Sequence, residues 1–418
     1  MTRKAKKAVE RLAPVADEVL DQFGPAAGMS MEDIDAATRR LKQALVERML
    51  GGELSHHLGY PVGGEKPDDT TNHRNGASPK TVVTDDGPVA IAVPRDRAGT
   101  FAPVLIPKHA RRLAGFDDKV LALYARGLST RDIQKFLEEI YAIEVSPTLI
   151  SEVTDAVVTE VTAWQGRPLE PMYPVVFFDA LRVKIRDEST VISKAVYLAL
   201  AILPDGSRDV LGIWIEQTEG AKFWLKVFTD LRARGCEDIL IAVTDGLKGM
   251  PEALEAAYPA TTLQTCLVHL IRRSLDLVGW KDRKPLARAL RVIYTAASAD
   301  AAARELDAFA AGAWGQRFPT IVKSWRAAWT QVIPFFAFPP DVRRVIYTTN
   351  ILESVHARIR KVIKTRGHFP TDEAATKLIW LALRNITAQW TTKAARHWRE
   401  TVHQFAILFG DRFLRGQA

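Results

Sequence analysis

Asp179 stands in a run that is otherwise apolar: Val175-Val176-Phe177-Phe178 precede it, and Leu181, Val183 and Ile185 follow. A carboxylate in a buried strand is costly unless it is paired, protonated or bound to a cation. Asp245 comes directly after Ile239-Leu240-Ile241-Ala242-Val243-Thr244, where a chain leaving a sheet presents its side chain to a ligand crevice. Glu353 opens a helix. At helical spacing Leu352, Val355, Ile359, Val362 and Ile363 form one apolar face, while Glu353, His356, Arg360 and Lys364 line another, expected to be open. Residues 343–366 hold seven basic side chains and one acid. Carboxylate ligands suit Mg²⁺ or Mn²⁺, and two such ions clamp the attacking and leaving oxygens of a phosphodiester displacement. Each acid also has a plainer explanation. Asp179 can pair with Arg182 or Lys184, Asp245 can belong to a Thr-Asp-Gly turn, and Glu353 can complete a capping box with Asn350. Singly the plain explanations are at least as strong; three acids in this arrangement are more specific.

The elements that must carry these residues follow from periodicity. Residues 30–60 read as one helix capped by Ser30, with Ile34, Leu41, Leu45, Met49 and Leu50 as its apolar positions. Residues 61–80 read as a polar linker, followed by a hairpin of 80–84 and 89–93 around Asp85-Asp86-Gly87-Pro88. Between 117 and 158 three helical patterns are separated by Gly127 and by Ser146-Pro147. That layout fits a helix-turn-helix DNA-binding unit slightly better than the alternative, a plain three-helix packing module. Three strands then run in succession, and a helix over 221–234 crosses to a fourth at 239–243, which indicates a mixed α/β sheet. Residues 281–338 read as helical, with Trp314, Trp325 and Trp329, and a further helix carries Leu378, Ile379, Leu381, Ala382 and Ile386. The expected blocks are 1–60, 61–115, 116–165, 170–275, 276–340 and 341–418.

Composition narrows the class. The chain has 418 residues, 47% apolar and 25% charged, the balance of a folded globular protein. The charge-free run Ala256–Ile271 contains Pro259, Gln264 and His269 and is no bilayer span. Arg3, Lys4, Lys6, Lys7 and Arg11 are followed by no apolar core, so no secretory signal is expected. Cys236 and Cys266 cannot build a disulfide framework. A cytoplasmic location without membrane partners is therefore expected, and the net charge of +8 favours an anionic partner. The positive charge recurs at the N-terminus and around 95–112, 272–291 and 343–366.

Several strings resemble the mutator-type transposases of bacterial insertion sequences. They are Asn75-Gly76-x-Ser78-Pro79-Lys80-Thr81, Phe178-Asp179-Ala180-Leu181-Arg182-Val183-Lys184, Val243-Thr244-Asp245-Gly246-Leu247-Lys248-Gly249, Tyr347-Thr348-Thr349-Asn350-Ile351-Leu352-Glu353-Ser354 and Arg360-Lys361-Val362-Ile363-Lys364-Thr365-Arg366-Gly367. The resemblance implies a multidomain α + α/β chain. A helical DNA-binding N-terminal region would precede a ribonuclease-H-like mixed-sheet core interrupted by an all-helical insertion. It further implies an Asp-Asp-Glu triad, Asp179, Asp245 and Glu353, holding two Mg²⁺ or Mn²⁺ ions per site. The 108 residues from Asp245 to Glu353 leave room for the insertion. The activity implied is DNA transposition: cleavage of transposon ends and strand transfer into target DNA. The partners implied are double-stranded DNA, as terminal inverted repeats and target, and further copies of the chain in a homodimer or larger assembly beside the nucleoid. Arg358, Arg360, Lys361, Lys364, Arg366 and His356 are the expected DNA contacts, with His356 where the family more often has Asn. Cys266-x-x-His269 matches a family element expected to pack and orient, since two ligands alone do not make a structural zinc site. The alternatives are a catalytically silent DNA-binding regulator of transposase descent and a ribonuclease-H-type nuclease.

Overall fold

The computed structural model describes residues 30–414, apart from 69, 85–86, 111, 113–114, 142, 348–349 and 391–397. The basic N-terminal cluster and Asp85-Asp86 lie outside the described residues. The chain forms two compact units, Met1–Leu121 with Arg131–Ile150, and Ala122–Thr130 with Ser151–Ala418. The boundary passes through the helices expected as a block of their own, α2 (Phe116–Ala125), α3 (Thr130–Tyr141) and α4 (Pro147–Gln165).

In the first unit α1 (Met31–Leu58) starts at a capping box in which Ser30 and Asp33 satisfy each other's backbone N–H groups. It packs on a hairpin of β1 (Arg74–Thr84) and β2 (Gly87–Asp96), with Leu50, Val82, Val89, Ile91 and Ile106 as the shared core. Two α1 carboxylates strengthen the contact: Glu47 accepts from the Ala92 N–H, and Glu53 from Val104 and Leu105. The helix is where periodicity put it, but its buried face is not. Leu50, Leu54 and Leu58 are buried, whereas Ile34, Leu41, Leu45 and Met49 are exposed. The expected linker also ends early. β1 begins at Arg74, and the register shifts between Arg74 and Ala77, where Gly76 takes φ +67°. Asn75-Gly76, read as a turn, is a bulge inside a strand.

The second unit is built on a five-stranded mixed sheet in the order β5-β4-β3-β6-β7. β3 (Met172–Asp187), β4 (Thr190–Ile202) and β5 (Arg208–Glu216) form an antiparallel meander. Helix α5 (Ala221–Ala233) crosses to β6 (Asp238–Thr244), parallel to β3, and α6 (Met250–Ala257) leads to β7 (Thr262–Thr265), parallel to β6. α5 and α6 cover one face. Phe178, Tyr197, Trp224 and Phe228 meet there in edge-to-face and tilted contacts, with Phe178 and Trp224 centroids 5.8 Å apart.

After β7 the chain is helical. The succession is α7 (Leu267–Asp276), α8 (Trp280–Tyr294), α9 (Ala299–Ala311), α10 (Ala313–Arg317), α11 (Pro319–Ala327), α12 (Trp329–Val332), a 3-10 turn (Ile333–Ala337), α13 (Pro340–Tyr347), α14 (Asn350–Ile363) and α15 (Asp372–Thr387). Trp325, fully buried, donates from Nε1 to Ser274 Oγ at 3.0 Å and locks α11 against α7. Phe369, between α14 and α15, exchanges backbone hydrogen bonds with Lys184 and Arg186 at the end of β3, pinning both helices to the central strand. Among the described residues no helix is long and apolar enough to cross a membrane.

Candidate active site

β3 is covered on both faces from Met172 to Asp179 and alternates buried and more exposed positions from Ala180 onward. Asp179 is thus the last side chain of the closed stretch, only 5% exposed. The parallel register pairs Phe178 with Thr244. The next residue on each strand is an aspartate, so sheet pairing sets Asp179 and Asp245 side by side where β6 ends. The Cys266 N–H donates to Thr244 O at 2.7 Å, which ties the start of α7 to the same point. One helical turn on, His269 Nε2 lies 3.7 Å from Asp179 Oδ2 and its Nδ1 lies 3.9 Å from Asp245 Oδ1. One ligand atom from each of the three lies within 4.8 Å of the others, an arrangement that could hold a metal ion.

The fit can be tested on unsatisfied atoms. Asp179 Oδ1 accepts the Ala180 N–H at 2.7 Å, but Asp179 Oδ2 is buried without a hydrogen bond, as is His269 Nδ1. A buried acceptor left unmet costs about 1–3 kcal/mol. An unmet carboxylate oxygen and an unmet ring nitrogen, each beside another group of the same cluster, suit a cation. Burial pushes the Asp179 carboxyl up to about 6, and Asp245 adds to the rise; His269, the Ala180 N–H and Arg360 oppose it.

α14 closes the site from another side. His356 Nδ1 lies 3.3 Å from Asp179 Oδ2, and the ring is 3% exposed. Burial, reinforced by Arg360, His269 and Arg272 nearby, lowers His356 to about 3. His356 is therefore neutral at pH 7, and its approach to Asp179 is not an ion pair. Glu353, one turn earlier, pairs with Arg272, and Arg273 Nη2 lies 3.0 Å from Asp245 Oδ2. The lower end of α14 is anchored within the same unit. Thr365 Oγ1 donates to Gly127 O, and Arg366 donates to Gly127 O and Leu128 O while lying over the Tyr124 ring, 4.3 Å from its centroid.

Known proteins of the same build carry a common name. A probable transposase for an ISRM3-like insertion sequence element of Sinorhizobium fredii is 54% identical over 403 residues, 96% of this chain and 99% of its own length. The transposase for insertion sequence element ISRM3 of Rhizobium meliloti is 54% identical over 402 residues, again 96% and 99% of the two chains. A probable insertion-sequence transposase of Corynebacterium diphtheriae is 47% identical over 339 residues, 77% of this chain and 99% of its own. Residues 17–393 match the family described as Transposase, Mutator family. The chain belongs to that family.

Within this Mutator-family chain the expected site residues fall into three groups. Asp179 and Asp245 converge, and Glu353 stands nearby on α14 but is not among the convergent ligand atoms of the described residues. His269, expected only to orient, joins them. His356, expected on an open basic face, is buried against Asp179 instead. Arg360, Lys361 and Lys364 are exposed as expected, whereas Arg366 is occupied by the Gly127 and Leu128 carbonyls and Arg358 donates to Gln389 Oε1 at 2.8 Å. Cys266 is buried at the start of α7 and works through its backbone. α4, the third helix of the expected DNA-binding unit, has no Lys or Arg and three acids, Glu152, Asp155 and Glu160. Asp155 pairs with Lys377 and Glu160 with Arg384, both on α15. A helix so charged is poorly suited to a phosphate-lined groove. Arg272 and Arg273 also reach the acids, and spacing is their one sequence signal, since both follow His269 within about one helical turn.

Proposed function

We propose that this chain cleaves the ends of its insertion sequence and transfers the freed strands into target DNA. In this reading the second unit is a ribonuclease-H-like core, and Asp179, Asp245 and Glu353, joined by His269, would hold Mg²⁺ or Mn²⁺ ions. Bound there, divalent ions would supply Lewis-acid stabilisation of the charge that develops at a phosphodiester. The imidazole in the ligand set favours Mn²⁺ over Mg²⁺, because Mg²⁺ prefers oxygen ligands. The observation that carries the proposal is the register-matched pair Asp179 and Asp245 with His269, two of whose facing atoms are buried and unmet.

The chain's own groups divide the remaining work. His356, buried beside Asp179, shields its carboxylate from water. Arg272 is paired with Glu353 and would be available to a phosphate if that acid held an ion. Arg360 and Lys361 on α14 and Lys364 in the turn just after it, all exposed, hold the DNA backbone by charge. Pairing two transposon ends requires at least two copies of the chain, so a homodimer or larger assembly forms on DNA. The test is end cleavage and strand transfer on duplexes carrying the element's own termini, with Asp179→Asn and Asp245→Asn beside the unaltered chain. Both variants should lose cutting and joining while still binding DNA. Retained cutting would sink the assignment of the acids, and binding without cutting by the unaltered chain with Mg²⁺ and Mn²⁺ would make it a regulator.

A further inference from the structure

The helical part of the second unit contains a cleft of about 1030 Å³ away from the acids. One wall is the end of α8 and the turn after it, with Arg291 and Tyr294; the other runs from the 3-10 turn into α13, with Phe335, Phe338, Arg343 and Arg344. Three guanidinium groups face it, and no Asp or Glu lines it. The nearest acid along the chain, Asp341, pairs with Arg344 at 3.3 Å and also accepts from Gln404.

The cleft is a built feature. Arg343 donates to Phe338 O, Ala296 O, Ala297 O and Phe336 O at 2.6 to 3.1 Å, so it ties one wall to the other. Its guanidinium also lies over the Phe335 and Phe336 rings, 5.6 and 5.3 Å from their centroids. With its donors committed, Arg343 sets the shape. Among the described residues Arg291 is exposed and has no ion pair, and Arg344 pairs with Asp341.

Positive charge without lining acids selects an anion. Aromatic and aliphatic walls select a flat apolar group attached to it. A volume of this size exceeds what a phosphate alone needs and lies at the upper end of small-molecule sites. The ligand with both properties is a nucleotide. α13 is followed, across residues 348–349, by α14, which places Arg343 ten positions ahead of Glu353 in the chain. We infer that the cleft takes an unstacked nucleotide of the DNA strand being processed, its base between Tyr294 and Phe338 and its phosphate at Arg291 and Arg344. This rests on the transposase reading above. A free nucleotide offers the same chemistry, and the test separates the two.

The experiment uses the full chain and a single-stranded decanucleotide carrying one 2-aminopurine, with a blunt duplex and free dAMP as the other probes. The 2-aminopurine signal should change on binding, and dAMP at a hundredfold excess should not reverse it. Tyr294→Ala and the double change Arg291→Gln with Arg344→Gln should each weaken single-strand binding about tenfold, the scale of one lost stacking or phosphate contact. Blunt-duplex binding should change less than twofold. Tyr294→Phe keeps the ring and should keep the affinity. If Tyr294→Ala fails to fold, the exposed Arg291 and Arg344 carry the test. Unaltered single-strand affinity in the arginine variant, an equal loss on the duplex, or full displacement by dAMP would each overturn the proposal. Asp179→Asn should abolish cutting yet leave the 2-aminopurine signal intact, so failure of the acids and failure of the cleft are distinguishable.

Discussion

Among the described residues two aspartates are almost fully buried in strands, and their surroundings are opposite. Asp96, at the end of β2 in the first unit, receives hydrogen bonds from Asn72 Nδ2 at 2.7 Å, the Thr100 N–H and hydroxyl at 3.0 and 2.7 Å, and the Phe101 N–H at 3.2 Å. Burial pushes its carboxyl up, but these four donors together outweigh it and hold the group well below the usual carboxylate range. Asp179, in the second unit, has one backbone donor and an unmet oxygen, and burial holds it well above that range. Equal burial therefore does not mean equal purpose. Asp96 is saturated by its own neighbours and clasps the loop after β2 to the hairpin. Asp179 keeps its charge costly and its lone pairs open, which suits a cation.

The largest effect that could break this contrast is a swap of phenotypes. Asp179→Ala should lower DNA cutting by at least about a thousandfold, the scale of losing a metal ligand that stabilises transition-state charge, while melting does not fall below that of the unaltered chain. Asp96→Ala should do the reverse. Leaving four donors without their acceptor should cost about 3 kcal/mol or more of unfolding free energy in denaturant titration, with cutting per folded molecule unchanged. Any large catalytic defect in folded Asp96→Ala would erase the distinction.

The two titrating groups at the site sharpen it further. Asp179 binds its proton more tightly folded, about 6, than its ordinary 3.8. Its contribution in the metal-free protein is therefore full below about pH 4 and is lost as pH rises through 6, a difference of about 3 kcal/mol. His356 has the opposite sign. It is held at about 3 against an ordinary 6.5, so the stability it contributes is present above pH 6.5 and lost as pH falls. Between pH 4 and 6 the two slopes cancel. Asp179→Asn, which keeps the Ala180 hydrogen bond, should be more stable than the parent at pH 7.5 by up to about 3 kcal/mol, with the gain gone near pH 4. His356→Asn should lose stability less steeply than the parent as pH falls from 6.5. Denaturant titrations across this range check both signs, and a pH-independent difference for either variant would contradict them.

A smaller effect is expected at Gly127. It holds φ +95°, and a Cβ there would run into Thr365 Oγ1 and the Val362 carbonyl. Gly127→Ala should cost about 1–3 kcal/mol through the strained backbone and the disturbed anchor of α14. Because α14 carries Glu353 and His356, cutting should fall more than melting does.

Much of this was legible in the sequence, for identifiable reasons. A lone Asp in an apolar run and an Asp where a strand ends are local patterns, and β3 and β6 lie where they were expected. His269 was undervalued because its approach to the acids depends on the pairing of Phe178 with Thr244 and on the Cys266 N–H, and neither contact has a local signal. The helical wheel places Glu353, His356, Arg360 and Lys364 on one face, although α14 ends at Ile363 and Lys364 lies in the turn after it. It could not say that the sheet covers the His356 end and leaves Arg360 and Lys364 open. Arg366 shows the same limit, since a basic residue in a basic segment looks like a phosphate contact until a turn such as Gly127-Leu128 presents carbonyls to it. On α1 the apolar spacing identified the helix, but the hairpin covers the Leu50, Leu54 and Leu58 face.

The central claim is that Asp179, Asp245 and His269 make one cation site, and calorimetric titration with Mn²⁺ at pH 7.5 tests it most directly. The unaltered chain should bind Mn²⁺ with an affinity that drops at least tenfold in Asp179→Asn, Asp245→Asn and His269→Ala alike, and that weakens as pH falls below 6 and Asp179 takes up its proton. Asp96→Asn, the other buried carboxylate, should bind Mn²⁺ as the parent does. Mn²⁺ affinity indifferent to all three site substitutions would contradict the claim.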